Sequence, residues 1–159
     1  MFISGRELID IAVGIERNGA AFYDALTDST LGLKAGSVYK YLADNERQHL
    51  DLFRSMLASV GEDRLPETYG EEYDVYLKSL IDSSVFTDDQ VAREMAREVA
   101  SDVEAVQIGL GAEKDSILFY SAMQDLVQRS DRKVVSKIIE EERSHLRQLL
   151  DLKKGLGSY

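Results

Sequence analysis

Cysteine is absent from all 159 residues, and that absence removes several chemistries at once. Disulfide stapling, thiolate zinc sites and a four-thiolate iron module on this chain all need sulfur and are excluded. Tryptophan is also missing, and proline occurs once, at Pro66. Long helices can therefore run without a built-in break. No run reaches the roughly 18 apolar residues that a bilayer crossing requires. The opening Met1-Phe2-Ile3-Ser4 lacks the basic region and long apolar core of a signal peptide, so the cytoplasm is the expected compartment and no membrane partner is expected. Positive charge is in short supply: 19 Lys and Arg face 29 Asp and Glu, a net charge of -10 with no basic patch, so no nucleic-acid partner is expected either. With 44% apolar residues, residues 1–159 are read as one domain able to bury a sizeable core.

Histidine is nearly as scarce as proline, with two in the chain, and both sit in the same setting. Glu46-Arg47-Gln48-His49 recurs 96 positions later as Glu142-Arg143-Ser144-His145. Residues three apart share a face of a helix, so each pair presents a carboxylate and an imidazole to one side. A lone glutamate precedes each pair, Glu16 by 30 residues and Glu113 by 29. Each lies on an apolar stripe, Glu16 between Ala12 and Ala20, Glu113 between Gly109 and Ile117. A carboxylate buried there must be paired or bind metal. Four glutamates and two histidines on four helices form the donor set of a two-metal carboxylate bundle. Oxygen-rich donors with two nitrogens suit iron or manganese better than structural zinc. Two ions are expected, about 3.5–4 Å apart.

The surrounding chain follows helical punctuation. Ser4-Gly5-Arg6-Glu7 is a capping box opening helix A, which runs to about residue 28. Asp28 to Gly36 reads as a turn, and helix B then extends to about Val60 along Val38, Leu42, Asn45, Glu46, His49, Phe53 and Met56. From Gly61 to Thr87 the pattern is irregular, broken by Pro66 and Gly70, with one short helix around Tyr73, Tyr76, Leu77 and Leu80. So long a link predicts a crossover joining parallel helices B and C. Thr87-Asp88-Asp89-Gln90 opens a helical lead-in over 88–100. A second capping box, Ser101-Asp102-Val103-Glu104, starts helix C, which continues to about Val127. Helix D spans Ser130-Asp131 to Lys154, and Gly155 to Tyr159 is a frayed tail.

Residues 4–26 aligned on 101–123 are identical at eight of 23 positions, including the capping Ser and Glu, Gly14 with Gly111, the lone glutamate and the Phe-Tyr pair. The second half restates the first, as a site with approximate two-fold symmetry requires. Tyr23 and Tyr120 lie seven residues beyond their glutamates, within reach of ligand carboxylates; packing between helices explains them equally. Close helix contact, or room for a small oxidant near the metals, would explain Gly14, Gly109 and Gly111, with simple packing the preferred reading. Tyr69, Tyr73, Tyr76 and Tyr159 are expected in packing or interfaces. Asp44, Glu140 and Glu141 flank the signatures, and the 96-residue register selects Glu142 as the donor.

These residues resemble the ferritin-like, rubrerythrin-type diiron proteins. The likeness rests on Glu16 with Phe22-Tyr23, Glu46 to His49, Glu113 with Phe119-Tyr120, and Glu142 to His145, and covers about residues 4–152. It implies an all-α four-helix bundle with a long B–C crossover and internal two-fold pseudosymmetry. It implies a centre of two Fe ions, with Mn or Zn as substitutes. Glu16 and Glu113 would be ligands, Glu46 and Glu142 bridging or near-bridging carboxylates, and His49 and His145 terminal nitrogen ligands. Full-length members add a cysteine-ligated iron domain, for which this chain has no cysteine. They also carry a further helix-C glutamate three residues from the main one, where Leu110 and Ser116 stand here.

The implied activity is reduction of hydrogen peroxide or dioxygen, with electrons from an external donor such as a rubredoxin-like protein. A ferroxidase or iron-handling role, and a metal-bearing structural or partner-binding bundle, are the alternatives. A homo-oligomer, first of all a dimer, is expected. A hydroxylase is disfavoured, because a short bundle leaves little room for a substrate.

Overall fold

In a computed structural model the chain is described over residues 3–60 and 70–157. It is an all-α helical bundle, and no strand occurs among the described residues. Its helices are α1 (Gly5–Ser29), α2 (Leu33–Ser59), α3 (Glu71–Asp82), α4 (Asp89–Glu98), α5 (Asp102–Met123) and α6 (Arg132–Leu156).

The capping signals explain most of the boundaries. At the start of α1 the Glu7 amide donates to Ser4 Oγ at 3.1 Å, while the Ser4 amide donates to Glu7 Oε2 at 2.6 Å. The predicted turn before α2 is shorter than expected: α2 begins at Leu33, and Gly36 lies in its first turn, bonded to the Gly32 carbonyl at 2.8 Å. Asp88, rather than Thr87, caps α4 by accepting from the Val91 amide at 2.8 Å. The second capping box forms only half. Ser101 Oγ accepts from the Glu104 amide at 3.2 Å, but the Glu104 carboxylate takes the amide of Ala100, one residue upstream. Because of this break at Val99–Ser101, α4 and α5 are separate helices. α5 ends at Met123, earlier than expected, and the chain continues in tight turns in which the Leu126 and Val127 amides both donate to the Met123 carbonyl. α6 runs through Gly155 to Leu156, beyond the predicted end. Pro66, Tyr69, the first part of the expected crossover and Tyr159 lie outside the described residues.

Two apolar clusters hold the bundle together. One combines Leu8, Phe53, Phe119, Tyr120, Val135 and Ile138; the other combines Phe22, Tyr39, Leu42, Val106 and Leu149 with Phe86. The first draws on the early parts of α1 and α6 and the late parts of α2 and α5, and the second draws on the opposite parts. On each of these four helices the predicted metal ligands fall between the two clusters, to which Tyr23 and Tyr120 themselves belong. The ligands are therefore flanked at both ends by packed side chains. Elsewhere, Tyr73 donates its hydroxyl to the Ala122 carbonyl and pins α3 to α5, while Tyr76 is half-exposed beside it. Asp102 accepts from Thr30 and Tyr39, at 3.0 and 2.8 Å, and ties the α1–α2 turn to the first turn of α5.

Candidate metal centre

Helical spacing puts Glu46 and His49 on one face of α2, and Glu142 and His145 on one face of α6. Packing then brings these faces to Glu16 of α1 and Glu113 of α5. All six side chains are at most 3% exposed. Their donor atoms form two groups, Glu16, Glu46, His49 and Glu142 in one, and Glu46, Glu113, Glu142 and His145 in the other, each with its atoms within 4.8 Å of one another. Glu46 and Glu142 belong to both groups. His49 Nδ1 lies 2.8 Å from Glu142 Oε1 and 3.5 Å from Glu16 Oε1. His145 Nδ1 lies 3.2 Å from Glu46 Oε1 and 3.6 Å from Glu113 Oε1. The two imidazoles face each other with ring centroids 5.8 Å apart.

The site fits divalent ions by a direct criterion. Glu16 Oε2, Glu46 Oε1, Glu113 Oε2, both Glu142 oxygens and both Nδ1 atoms are buried without a hydrogen-bond partner. Orphaned polar atoms of this kind cost free energy. Here their lone pairs converge on common points, where hard cations would complete them.

Without cations the cluster holds protons instead. Burial, and then the charge of Glu46, pushes the Glu16 carboxyl well above its usual range. Glu142 is pushed the same way by burial and by the charges of Glu113, Glu46 and Glu16. Burial also works against the charge of Glu46, but its close approach to the Glu16 carboxyl and to His145 outweighs it and lowers Glu46 to about 2. Burial alone would make His145 less basic; the close approach and charge of Glu113 and Glu46 instead raise it to about 10.

Both predicted tyrosines reach carboxylates, but across the bundle. Tyr23 of α1 donates to Glu113 Oε1 and Tyr120 of α5 donates to Glu16 Oε1, both at 2.7 Å. Burial and the neighbouring carboxylate charges push both phenols well up, so both remain protonated donors. Replacing either by phenylalanine removes one donor from a buried carboxylate, a loss worth about 1–3 kcal/mol in the metal-free chain. Tyr23→Phe and Tyr120→Phe are expected to unfold at lower temperature yet still take up two ions per chain, as measured by metal analysis.

The profile of the rubrerythrin family matches residues 7–153, nearly the whole chain. The chain belongs to the rubrerythrin family. Among solved structures it is similar to a ferritin-like diiron-carboxylate protein from Thermotoga maritima, with 29% identity, 97% of each chain covered and a TM-score of 0.76. No curated protein gives a significant match.

Three features of this rubrerythrin-family site escaped the sequence reading. Glu141, set aside as a flanking residue, holds the outer nitrogen of His49, with Nε2 and Oε2 2.5 Å apart. Such a carboxylate orients the imidazole and fixes which nitrogen faces inward. The equivalent position before Glu46 is Asn45, whose amide turns back to the Tyr41 carbonyl at 3.0 Å. Gly19 is the second feature. A Cβ there would meet Glu46 Oε2 at 3.3 Å, so the glycine leaves room for the shared carboxylate. Gly109 does the same for the Tyr23 hydroxyl, 3.2 Å from its would-be Cβ, as the expectation of close contact required. Gly111 is close to Val85, whereas Gly14 approaches nothing nearer than the tip of Arg17 at 3.7 Å. The third feature is a cavity of about 490 Å³ that reaches Glu46, Glu113 and Tyr23, so the expected lack of substrate space does not hold.

The glycines make a paired prediction. Gly14→Ala gains helix propensity without a clash and should stabilise the chain by about 0.8–1 kcal/mol, a melting-temperature rise of roughly 2–4 °C. Gly19→Ala makes the same intrinsic gain but presses on Glu46, and is expected to weaken metal binding about tenfold or more, as displaced support does at metal sites. Calorimetric titration of the two variants side by side checks both.

Asp44 takes no part in the site. It accepts from Arg47 at 2.5 Å, and Arg47 also donates to Asp24 at 2.6 Å, linking α2 to α1 at the surface.

Proposed function

We propose that this chain is a non-haem diiron oxidoreductase that reduces hydrogen peroxide, or dioxygen, with electrons from an external donor protein such as a rubredoxin-like one. The observation that carries the reading is the sharing of Glu46 and Glu142 between two adjacent donor groups. Two ferrous ions, when bound, would supply one electron each to a two-electron oxidant. Glu16 and His49 would hold one ion, Glu113 and His145 the other, and Glu46 and Glu142 both. Manganese or zinc could occupy the same donors.

The remaining work falls to the chain. Tyr23 and Tyr120 hold the terminal carboxylates in place through hydrogen bonds to one oxygen each. Glu141 aims His49 at the cluster. The two apolar clusters pack against both ends of the site, and the low dielectric of these nearly fully buried side chains strengthens electrostatic attraction between them.

The finer architecture belongs to the same proposal. The α1–α2 and α5–α6 pairs would be related by a two-fold axis through the site, with the segment between α2 and α5 as crossover. The reciprocal Tyr23–Glu113 and Tyr120–Glu16 hydrogen bonds support this. Superposition of residues 4–57 on 101–153 tests it. We also propose a cytoplasmic homo-oligomer, a dimer first of all, that binds neither membrane nor nucleic acid. No helix among the described residues is long and apolar enough to cross a membrane. The nearly fully exposed Leu31 and Leu33 support self-association, which light scattering would measure.

The test of function is anaerobic loading with two ferrous ions per chain, then stopped-flow mixing with hydrogen peroxide or with dioxygen. Peroxide should oxidise the centre at least about tenfold faster, a difference of about 1.4 kcal/mol in barrier height, and an external donor should restore it for repeated cycles. Oxidation by dioxygen at an equal or greater rate would replace the peroxidase reading with a ferroxidase one.

A further inference from the structure

The cavity beside the metal centre is larger than the proposed oxidants require. At about 490 Å³ it exceeds by an order of magnitude the roughly 30 Å³ share of one water molecule. It falls within the approximately 300–1,000 Å³ typical of sites for small organic molecules. Its α1 wall runs from Asp10 to Tyr23, about 20 Å at 1.5 Å per residue, so the space is a slot rather than a sphere. Ala112 to Phe119 of α5 form the opposite wall, and the segment from Leu80 to Thr87 covers it.

Charge and polarity along the slot narrow the occupant. Ile11, Ile15, Ile81, Phe86, Ala112 and Phe119 supply much of its wall. That is a poor route for a hydrated cation, despite Asp10, Asp82 and Asp115 on the lining. Asp115 is in any case engaged, accepting from the Val85 amide at 2.8 Å. Arg17 is the one basic residue among the described lining, against the acidic Asp10, Glu46, Asp82, Glu113 and Asp115, so the lining is acidic on balance and disfavours an organic anion. Ser116, also in the wall, spends its hydroxyl proton on the Ala112 carbonyl. Asn18 differs: it is 7% exposed, lines the slot, and its amide oxygen has no hydrogen-bond partner. An occupant carrying one O–H or N–H group would satisfy it, while an apolar body filled the rest.

We propose that this slot binds a small, uncharged, elongated amphiphile with a single hydrogen-bond donor, held against the metal centre with its donor on Asn18. Its role as a ligand of a redox centre rests on the diiron reading; the slot itself does not. Ligand binding there would change the surroundings of Glu46 and Glu113 directly, because both form its inner wall.

The probe is 1-octanol, titrated into the iron-loaded chain beside sodium octanoate and octylamine. Octanol should bind saturably at one per chain, at least tenfold more tightly than either charged analogue, and should shift the absorption of the oxidised iron centre. Gly14→Leu places a side chain in the slot at a position where an added Cβ meets only the flexible end of Arg17, and Ala112→Leu fills the opposite wall. Each should weaken octanol at least tenfold with iron content unchanged. Unsaturable binding, or binding indifferent to both substitutions in a chain that loads iron, would overturn the slot and leave the metal reading intact. Saturable octanol binding blocked by the plugs in a chain that takes up no iron would support the slot and overturn the metal reading.

Discussion

Glu142→Ala is expected to leave the chain with no more than one tightly held ion and to abolish the oxidation of ferrous iron by peroxide. Glu142 belongs to both donor groups, and both of its oxygens are buried without partners, so neither group keeps its full set when it is lost. The loss of affinity should exceed the roughly tenfold to hundredfold that follows removal of an outer hydrogen-bond partner. Turnover should fall further, because a lone ion cannot deliver both electrons. Glu46→Ala should behave alike. Glu16→Ala, which touches one group only, should retain one ion. The metal-free Glu142→Ala chain should melt no lower than the parent, since the substitution relieves a crowded set of buried acids. That separates a lost site from a lost fold. Iron content by elemental analysis, with circular dichroism on the same sample, gives the answer. Two ions retained at full affinity would refute the shared role of Glu142.

Stability should respond to pH in opposite ways with and without metal. Glu16 and Glu142 have carboxyl pKa values raised by burial and by neighbouring acids. Each binds its proton more tightly in the folded chain, so its contribution is complete below the unfolded value of 4.5 and is lost as pH rises through the folded one. His145 follows the same sign: its contribution is complete below 6.5 and lost as pH rises through about 10. Glu46 runs the other way, with its contribution present above 4.5 and lost only as pH falls toward about 2. Between pH 6.5 and 10, therefore, the metal-free chain should lose stability steadily. Metal binding requires deprotonated donors and releases these protons, so affinity should rise over the same window. At a thousandfold excess over the dissociation constant, binding contributes about 4 kcal/mol, or roughly 10 °C for a chain of this size. The melting-temperature gain on loading should be clearly larger at pH 8.5 than at pH 6.5. An equal gain at both would mean that the buried acids are not the groups that meet the metal.

Much of this was legible in one dimension because helices impose a period. Glu46 with His49 and Glu142 with His145 share faces whatever surrounds them, and Ser4 with Glu7 closes a capping box from local geometry alone. The errors cluster where local signals compete. Gly36 reads as a turn residue, but its amide bonds back to Gly32 and the helix begins earlier. Glu104 has the spacing of a capping box, but its carboxylate is captured by the Ala100 amide. At the end of α5, Met123 accepts from two successive amides and the α-helical ladder stops four residues before the apolar pattern does.

The sequence by itself determined the helical class, the six side chains that converge in the buried site and the family they resemble, because spacing along a helix decides which side chains share a face. Only the tertiary structure decided which tyrosine meets which glutamate, since Tyr23 and Glu113 are 90 residues apart and Tyr120 and Glu16 are 104 apart. It likewise decided that Glu141 supports His49, that Gly19 must stay small for Glu46, and that a slot remains open beside the donors. All of these depend on the distance and rotation between packed helices. Those are set by the summed shape of many side chains, and no repeat within a single helix encodes them.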